Sequence, residues 1–269
     1  MFVDSGRAQV AYEITGADDG ADVLLIHAGV TDRRSWQPVV ARLATRHRCV
    51  TYDMRGHGET SYQHEDGWSP VADALAVLQA ADVEQAVVVA SSMGGQAAID
   101  LTLARPERVA GLVLIGTAIR GAPYPELIEG PTAELNAKIE AAAAAGNLDE
   151  VNRLEAWLWL DGPTSPEGRV GGRTREQFLE MNAHALRAEN PGKQVEIPPA
   201  WPRLSEVVVP TLIMIGRLDA EDIVAINAPA AEMIPNARLV WLDNVAHLPQ
   251  LEGDPTTLME IVRFVDSLS

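Results

Sequence analysis

Val87-Val88-Val89-Ala90-Ser91-Ser92-Met93-Gly94-Gly95-Gln96 is the stretch whose reading decides the fold. A short apolar run rich in β-branched residues reads as a buried strand. Gln96, Ala97, Ala98, Ile99, Leu101, Leu103 and Ala104 have helical spacing, and Pro106 ends that helix. The turn between strand and helix has almost no room. Such a turn lifts one serine to the rim of a sheet, at the start of a helix, where backbone N–H groups and the helix dipole favour developing negative charge. Ser92 fits a small-x-Ser-x-Gly pattern, with Ala90 before it and Gly94 after it. Ser91 is flanked at the same offsets by Val89 and Met93, which crowd a tight turn. Read alone, the stretch also fits a polar loop between a buried strand and a helix.

Outward from this turn, the chain alternates strands and helices. Val3 to Thr15 breaks at Gly6 and reads as an antiparallel pair, and Gly16 to Gly20 reads as a turn. Val23-Leu24-Leu25-Ile26 is a buried strand that ends in His27-Ala28-Gly29-Val30. A short helix from Trp36 to Ala44 is expected to open at Ser35. The strand Cys49 to Tyr52 runs into Asp53-Met54-Arg55-Gly56-His57-Gly58, a glycine-bearing turn. Ser69 and Pro70 stand at the cap and first position of a helix from Val71 to Ala80. Val109 to Ile115 is the next strand. Strand rhythm returns at Val207 to Ile215, with Pro210 inside it, and at Arg238 to Leu242. Helices are expected from about Ile223 and from Thr256 to Leu268. Strands alternating with helices imply βαβ units and a parallel sheet.

Between Ile119 and about Arg203 the rhythm changes. Glu134 to Ala145, Asp149 to Leu160 and Thr174 to Ala188 have helical spacing, and strands are missing. The expected organisation is a core of residues 1–118 and 204–269, with 119–203 inserted as a helical cap.

Composition bounds the function. The chain has 269 residues, 47% of them hydrophobic, enough for one α/β domain with an insertion. A net charge of −17 argues against nucleic acid and anionic membrane surfaces as partners. Cys49 is the single cysteine, so neither an intrachain disulfide nor a thiolate cluster can form, and a buried structural thiol is expected. The first residues do not read as a signal peptide, and no apolar run reaches membrane-spanning length. A soluble cytoplasmic protein, monomer or homodimer, is expected. No metal or organic cofactor is implied.

A serine hydroxyl needs a base to take its proton, and the base needs a carboxylate to hold it. His247, in Asn244-Val245-Ala246-His247-Leu248-Pro249, follows the last strand and so falls on the same side of the sheet as Ser92. His27 and His57 sit in glycine-bearing turns, whereas His47, His64 and His184 are expected on the surface or in the cap. Asp219 follows a strand in Gly216-Arg217-Leu218-Asp219; its neighbour Asp222 is better placed to cap the next helix. Serine, acid and histidine then follow in the order Ser92, Asp219, His247.

In four stretches the chain resembles the α/β-hydrolase superfamily: His27-Ala28-Gly29, Asp53 to Gly58, Ser91 to Gly95, and the Asp219 and His247 loops. The likeness is greatest to small capped esterases, cofactor-free perhydrolases and enol-lactonases. It implies a mostly parallel eight-stranded sheet with helices on both faces and an inserted helical cap. It also implies that Gly29 and Met93 supply the backbone N–H groups of an oxyanion hole. The family usually has glycine where this chain has Ala28, Ala90 and Ala246, and histidine where it has Ser91. Arg55 and His57 belong to a turn that packs beside the serine. A serine at 92 excludes relatives that need a carboxylate nucleophile there, the haloalkane dehalogenases and epoxide hydrolases.

The implied chemistry is acyl transfer on a small carboxylic ester or lactone. Trp157, Trp159, Trp201, Phe178 and Met181 lie in or beside the cap. Val30, Trp157, Trp159 and Leu248 are the candidate pocket wall. The arginines Arg153, Arg169, Arg173, Arg175 and Arg187 single out no carboxylate clamp. Two other readings stay open at this level: lyase, oxygenase or perhydrolase chemistry on the same triad, and a non-catalytic ligand-binding member of the fold.

Overall fold

The central apolar runs form strands that bury side chains on both faces of one sheet, and more exposed strands flank them. In the computed structural model, which describes residues 1–17, 19–126 and 129–269, these are β1 (Phe2–Ser5), β2 (Ala8–Gly16), β3 (Asp22–Ile26), β4 (Arg48–Tyr52), β5 (Ser61–Tyr62), β6 (Ala86–Ser91), β7 (Val109–Ile115), β8 (Thr211–Gly216) and β9 (Ala237–Leu242). Eight run side by side in the order β1-β2-β4-β3-β6-β7-β8-β9. The pairs from β4 to β9 are parallel, and β2 is antiparallel to β1 and β4. A ninth strand, the two-residue β5, adds to β2; two residues carry no periodicity, so the expected count of eight omits it. The turn expected at Gly16 to Gly20 includes Asp18, which lies outside the described residues.

Successive side chains along each strand point to opposite faces. Leu24, Ile26, Val88, Ala90, Leu112, Leu114, Ile213 and Ile215 pack on one side. They meet α2 (Pro70–Ala80), α3 (Met93–Ala104) and α7 (Glu221–Met233). Val23, Leu25, Val87, Val89, Val113, Leu212 and Met214 pack on the other side, against α1 (Gln37–Leu43) and α9 (Pro255–Asp266). Each fully buried Leu, Ile or Val stabilises by roughly 1.5–3 kcal/mol relative to an exposed one. Cys49 lies in the second core, and burial pushes its thiol up to about 12.

The register sets the rim on which the site is built. Ile26 pairs with Ala90, Ser91 with Ile115, and Gly216 with Leu242. The carboxyl ends of β3, β6, β7 and β8 therefore finish together, where open α/β sheets place their ligand sites.

Between β7 and β8 the chain forms α4 (Gly130–Ala144), α5 (Leu148–Glu155), a π-helical turn Ala156–Asp161, and α6 (Gly172–Leu186). Ala156, Leu160, Phe178 and Met181 join Ala28, Leu248 and Leu251 in one apolar cluster. Leu135, Leu154 and Leu158 join Ala220 and Ile223 in another. Both clusters tie these helices to the rim loops. Arg169 adds a two-pronged pair with Glu252 of α8 (Pro249–Glu252), at 2.8 and 2.9 Å.

Several local expectations are corrected. Ser35 opens no helix. Asp32 does, accepting from Arg34 N–H, and a 3₁₀ turn Arg33–Trp36 precedes α1. Ser35 is fully buried and donates back to the Asp32 carbonyl. Pro210 precedes β8 rather than interrupting it, as a residue without an N–H should in a central strand. Asp222 is no cap: Ala220 holds that position and Asp222 falls in the first turn of α7. The helix expected to run to Leu160 is α-helical to Glu155 and π-helical beyond. No helix among the described residues is long and apolar enough to cross a membrane.

Candidate active site

The strand-to-helix turn after β6 is strained. Ser92 has φ +52° and ψ −118°, a region that L-residues rarely occupy and that costs on the order of 1–3 kcal/mol. Three backbone hydrogen bonds hold it there. Ser92 N–H donates to Ile115 O at 2.9 Å, and Ser92 O accepts from Ala118 N at 3.1 Å and Gln96 N at 3.2 Å. The glycines that follow permit a close approach. A Cβ on Gly94 would collide with the Ile26 and His27 carbonyls, and one on Gly95 with the Thr117 side chain. The two serines thus part. Ser92 is half-buried at the rim, whereas Ser91 is fully buried and its Oγ accepts from Gln250 Nε2 at 3.2 Å.

Met93 opens α3, so its N–H belongs to the first turn, which has no intrahelical acceptor. Its thioether lies 3.4 Å from where a Gly29 Cβ would stand, so the Met93 and Gly29 segments touch. Two histidines pin the Gly29 loop. His27 donates through Nδ1 to Ala28 O at 2.8 Å and accepts Met54 N–H at Nε2, 2.9 Å. Burial, then the neighbouring His57, pushes His27 down to about 3, so it is a neutral strut rather than a base. His57 donates through Nε2 to Gly29 O at 2.8 Å. The turn bearing Arg55 and His57 therefore packs against the loop beside the serine.

Asp219 and His247 come together at the ends of β8 and β9. Both carboxylate oxygens face His247 Nδ1, at 2.9 and 3.0 Å, and the two side chains are 0% and 2% exposed. Asp219 Oδ1 also accepts Ala220 N–H at 2.8 Å. Nδ1 must carry the proton to satisfy the carboxylate, which leaves Nε2 as the basic nitrogen. Leu218 N–H donates to Val245 O at 3.1 Å, and Asn244 takes φ +59°, so the two loops lock together. Gly116, at φ +48°, closes the arrangement: a Cβ there would stand 2.9 Å from both His247 Nδ1 and Asp219 Oδ2. Because Ser92 N–H is bonded to Ile115, the serine lies one residue along the backbone from this contact. Among the described residues neither Ser92 Oγ nor His247 Nε2 makes a hydrogen bond, an arrangement common before substrate binds.

Of the other expected site residues, Val30 is half-buried and Leu248 fully buried, in the cluster shared with Ala28. The Trp159 ring lies against His247, with centroids 4.7 Å apart. Trp157 packs in one apolar cluster with Trp159; its Nε1 donates to Ser165 O at 2.8 Å, and Lys138 lies 5.7 Å over its ring. His64 and His184 are exposed, as expected, but His47 is only 2% exposed. It is buried because its Nδ1 accepts Ala21 N–H and its Nε2 meets Asp266. Asp222 lies beside the pair, and burial, chiefly, raises its carboxyl above the usual range. Four of the five arginines considered as a clamp are paired: Arg153 with Glu150 and Glu167, Arg169 with Glu252, Arg175 with Asp161, and Arg187 with Asp149. Arg173 is exposed. Gly116 and Gln250 were legible to no sequence pattern, since their neighbours come from distant segments.

Known proteins resemble this chain in sequence and in fold. The alpha/beta hydrolase family profile matches residues 23–260. A rhodomycin D methylesterase of Streptomyces sp. (strain C5) is 30% identical over 268 residues, covering 89% of this chain and 90% of the relative. The 3-oxoadipate enol-lactonase 1 of Acinetobacter baylyi is 26% identical over 220 residues, covering 81% and 79%. Among solved structures, an esterase from Rhodococcus sp. ECU1013 superposes with a TM-score of 0.79 at 24% identity, covering 100% of this chain and 98% of that one.

Proposed function

From the premise that the chain belongs to the alpha/beta hydrolase family, we propose that it is a serine hydrolase of small carboxylic esters or lactones. Ser92 is the nucleophile, His247 the general base and Asp219 the carboxylate that orients it. The Gly29 and Met93 N–H groups form the oxyanion hole. Residues 119–203 act as a cap over a core of 1–118 and 204–269. The observation that carries this reading is the buried Asp219–His247 pair, set on the same rim as a serine held at φ +52°. A pure binder has no need of either feature.

On this assignment, catalysis runs through an acyl-enzyme. Ser92 Oγ attacks the substrate carbonyl carbon as His247 Nε2 takes the hydroxyl proton. Asp219 holds the imidazole in the productive tautomer and stabilises its cation. The oxyanion meets the two backbone N–H groups; losing one such donor typically costs about 100- to 1000-fold in rate. The imidazolium then gives its proton to the departing alkoxide, leaving an acyl group on Ser92. Water, deprotonated by His247, attacks that acyl group and releases the acid and the free serine. In a lactone the leaving alkoxide stays tethered, so one ring-opened hydroxy acid emerges.

The experiment is hydrolysis of p-nitrophenyl esters over a series of acyl lengths, by wild type and Ser92→Ala side by side. Turnover by wild type with its loss in a folded Ser92→Ala supports the proposal. Retained turnover in the variant overturns it.

A further inference from the structure

Beside the first turn of α3 lies a partly open, mostly apolar cavity of about 200 Å³, lined in part by Met93, Gln96, Ala97, Tyr52 and Trp68. None of the four residues expected to form the pocket wall belongs to it. Met93 borders both this cavity and the site: it follows Ser92, and its thioether lies against Gly29. Its size is informative: an apolar cavity of about 150 Å³ is enough to hold benzene.

Arg55, His57 and Trp68 of the wall have their polar groups engaged, whereas the Gln96 and Gln194 amides that also line it make no side-chain hydrogen bond among the described residues. Arg55, 1% exposed along its side chain, meets Asp73 at 2.9 and 3.0 Å and Glu65 at 2.8 Å, and donates to Ser5 O at 2.9 Å. Its charge is therefore already neutralised. His57 faces the Arg55 and Gly29 carbonyls, and Trp68 Nε1 donates to Gly192 O at 3.0 Å. Tyr52 is different. It ends β4, level with Ile26 and hence with Ala90, one residue below the elbow serines. It is fully buried, and its hydroxyl has no hydrogen-bond partner. A buried hydroxyl without a partner is destabilising, so a site that retains one is poised for a partner from outside. Burial, with Asp73 nearby, raises the phenol above its ordinary range, so it remains protonated and able to donate.

The geometry points to this cavity as the specificity pocket for one arm of the substrate: a neutral, ring-sized, largely apolar group carrying a single hydroxyl, ether or keto oxygen that pairs with the Tyr52 hydroxyl. The inference rests on the ester-hydrolase reading above and narrows it. With Arg55 already matched by two carboxylates, an anionic arm has no counter-charge in the cavity and is disfavoured.

The test measures kcat/KM for methyl phenylacetate and phenethyl acetate, for their ring-hydroxylated forms, for a ring-carboxylated form, and for p-nitrophenyl acetate as a small reference. Wild type, Tyr52→Phe and Ala97→Leu are compared. Tyr52→Phe removes only an unpartnered group, so its fold is retained, and Ala97→Leu fills the cavity. The hydroxylated ring is expected to be preferred over the bare ring by about tenfold in wild type, on at least one side of the ester, with the carboxylated ring poorest. Tyr52→Phe removes that preference mainly through KM. Ala97→Leu lowers the ring esters by about a hundredfold and spares p-nitrophenyl acetate. The inference is overturned if p-nitrophenyl acetate is turned over while the ring preference is unchanged by Tyr52→Phe, or while the ring esters are untouched by Ala97→Leu. Absence of turnover on every ester, in wild type as well, overturns the hydrolase reading and this inference with it.

Discussion

The indole of Trp159 lies tilted against the imidazole of His247, centroids 4.7 Å apart, and the Trp159 carbonyl accepts the His247 N–H at 3.3 Å. One residue of a π-helical turn thus touches the proposed base through both its backbone and its ring. π-Helical turns expose backbone groups that a regular helix would hide, and they recur at functional sites. The helices between β7 and β8 accordingly help to fix the orientation of His247, beyond any role in covering the site.

Trp159→Ala is expected to lower kcat on p-nitrophenyl esters by about tenfold, since small displacements of a catalytic group are felt strongly. Trp159→Phe keeps a ring against the imidazole and should restore most of that loss. A role confined to lining the substrate pocket would instead raise KM and leave kcat alone. Steady-state kinetics of the two variants separate these outcomes.

Gly116 is the second point of sensitivity. Gly116→Ala combines an L-side chain at φ +48° with a Cβ only 2.9 Å from His247 Nδ1 and Asp219 Oδ2. The fold should survive, because the strain is confined to one turn and costs on the order of 1–3 kcal/mol. The Asp219–His247 hydrogen bond should not survive in place, and a loss in kcat of about a hundredfold or more is expected. Circular dichroism with ester kinetics checks both halves.

Acid should destabilise the protein through His27. Its folded pKa, about 3, lies below the ordinary 6.5, so the unfolded chain binds more protons. The stabilisation is fully present above pH 6.5 and is lost as pH falls from there toward 3. At its full extent it is about 5 kcal/mol. His27→Gln should be less stable than wild type at pH 7, with the gap narrowing by about 2 kcal/mol by pH 5. Denaturant unfolding at the two pH values reads this directly, and a constant gap would contradict it.

What the sequence made legible and what it hid follow from the range of the interactions. The parallel strands were readable because Val23 to Ile26, Val87 to Val89 and Val109 to Ile115 are apolar runs bounded by turn residues, buried on both faces. Ser92, Asp219 and His247 were readable as candidates because each follows such a run. The misreadings occurred where a nearby competitor won. Asp32 took the capping role expected of Ser35, and the chain entered α7 two residues before Asp222. His47 was misplaced because its partners, Ala21 and Asp266, are 26 and 219 residues away. The same distance effect hid Gly116 and the cavity at Tyr52. Their neighbours are assembled by the topology, and no local pattern encodes them.

The most direct test of the central claim is covalent trapping of the nucleophile. Wild-type protein is treated with a p-nitrophenyl alkylphosphonate, which reacts with an activated serine and mimics the tetrahedral oxyanion, and the modified peptide is sequenced by mass spectrometry. Stoichiometric modification on Ser92, abolished in Ser92→Ala and strongly slowed in His247→Ala, is the predicted result. Modification at Ser91 or another serine, or labelling of Ser92 at the same rate without His247, would contradict it.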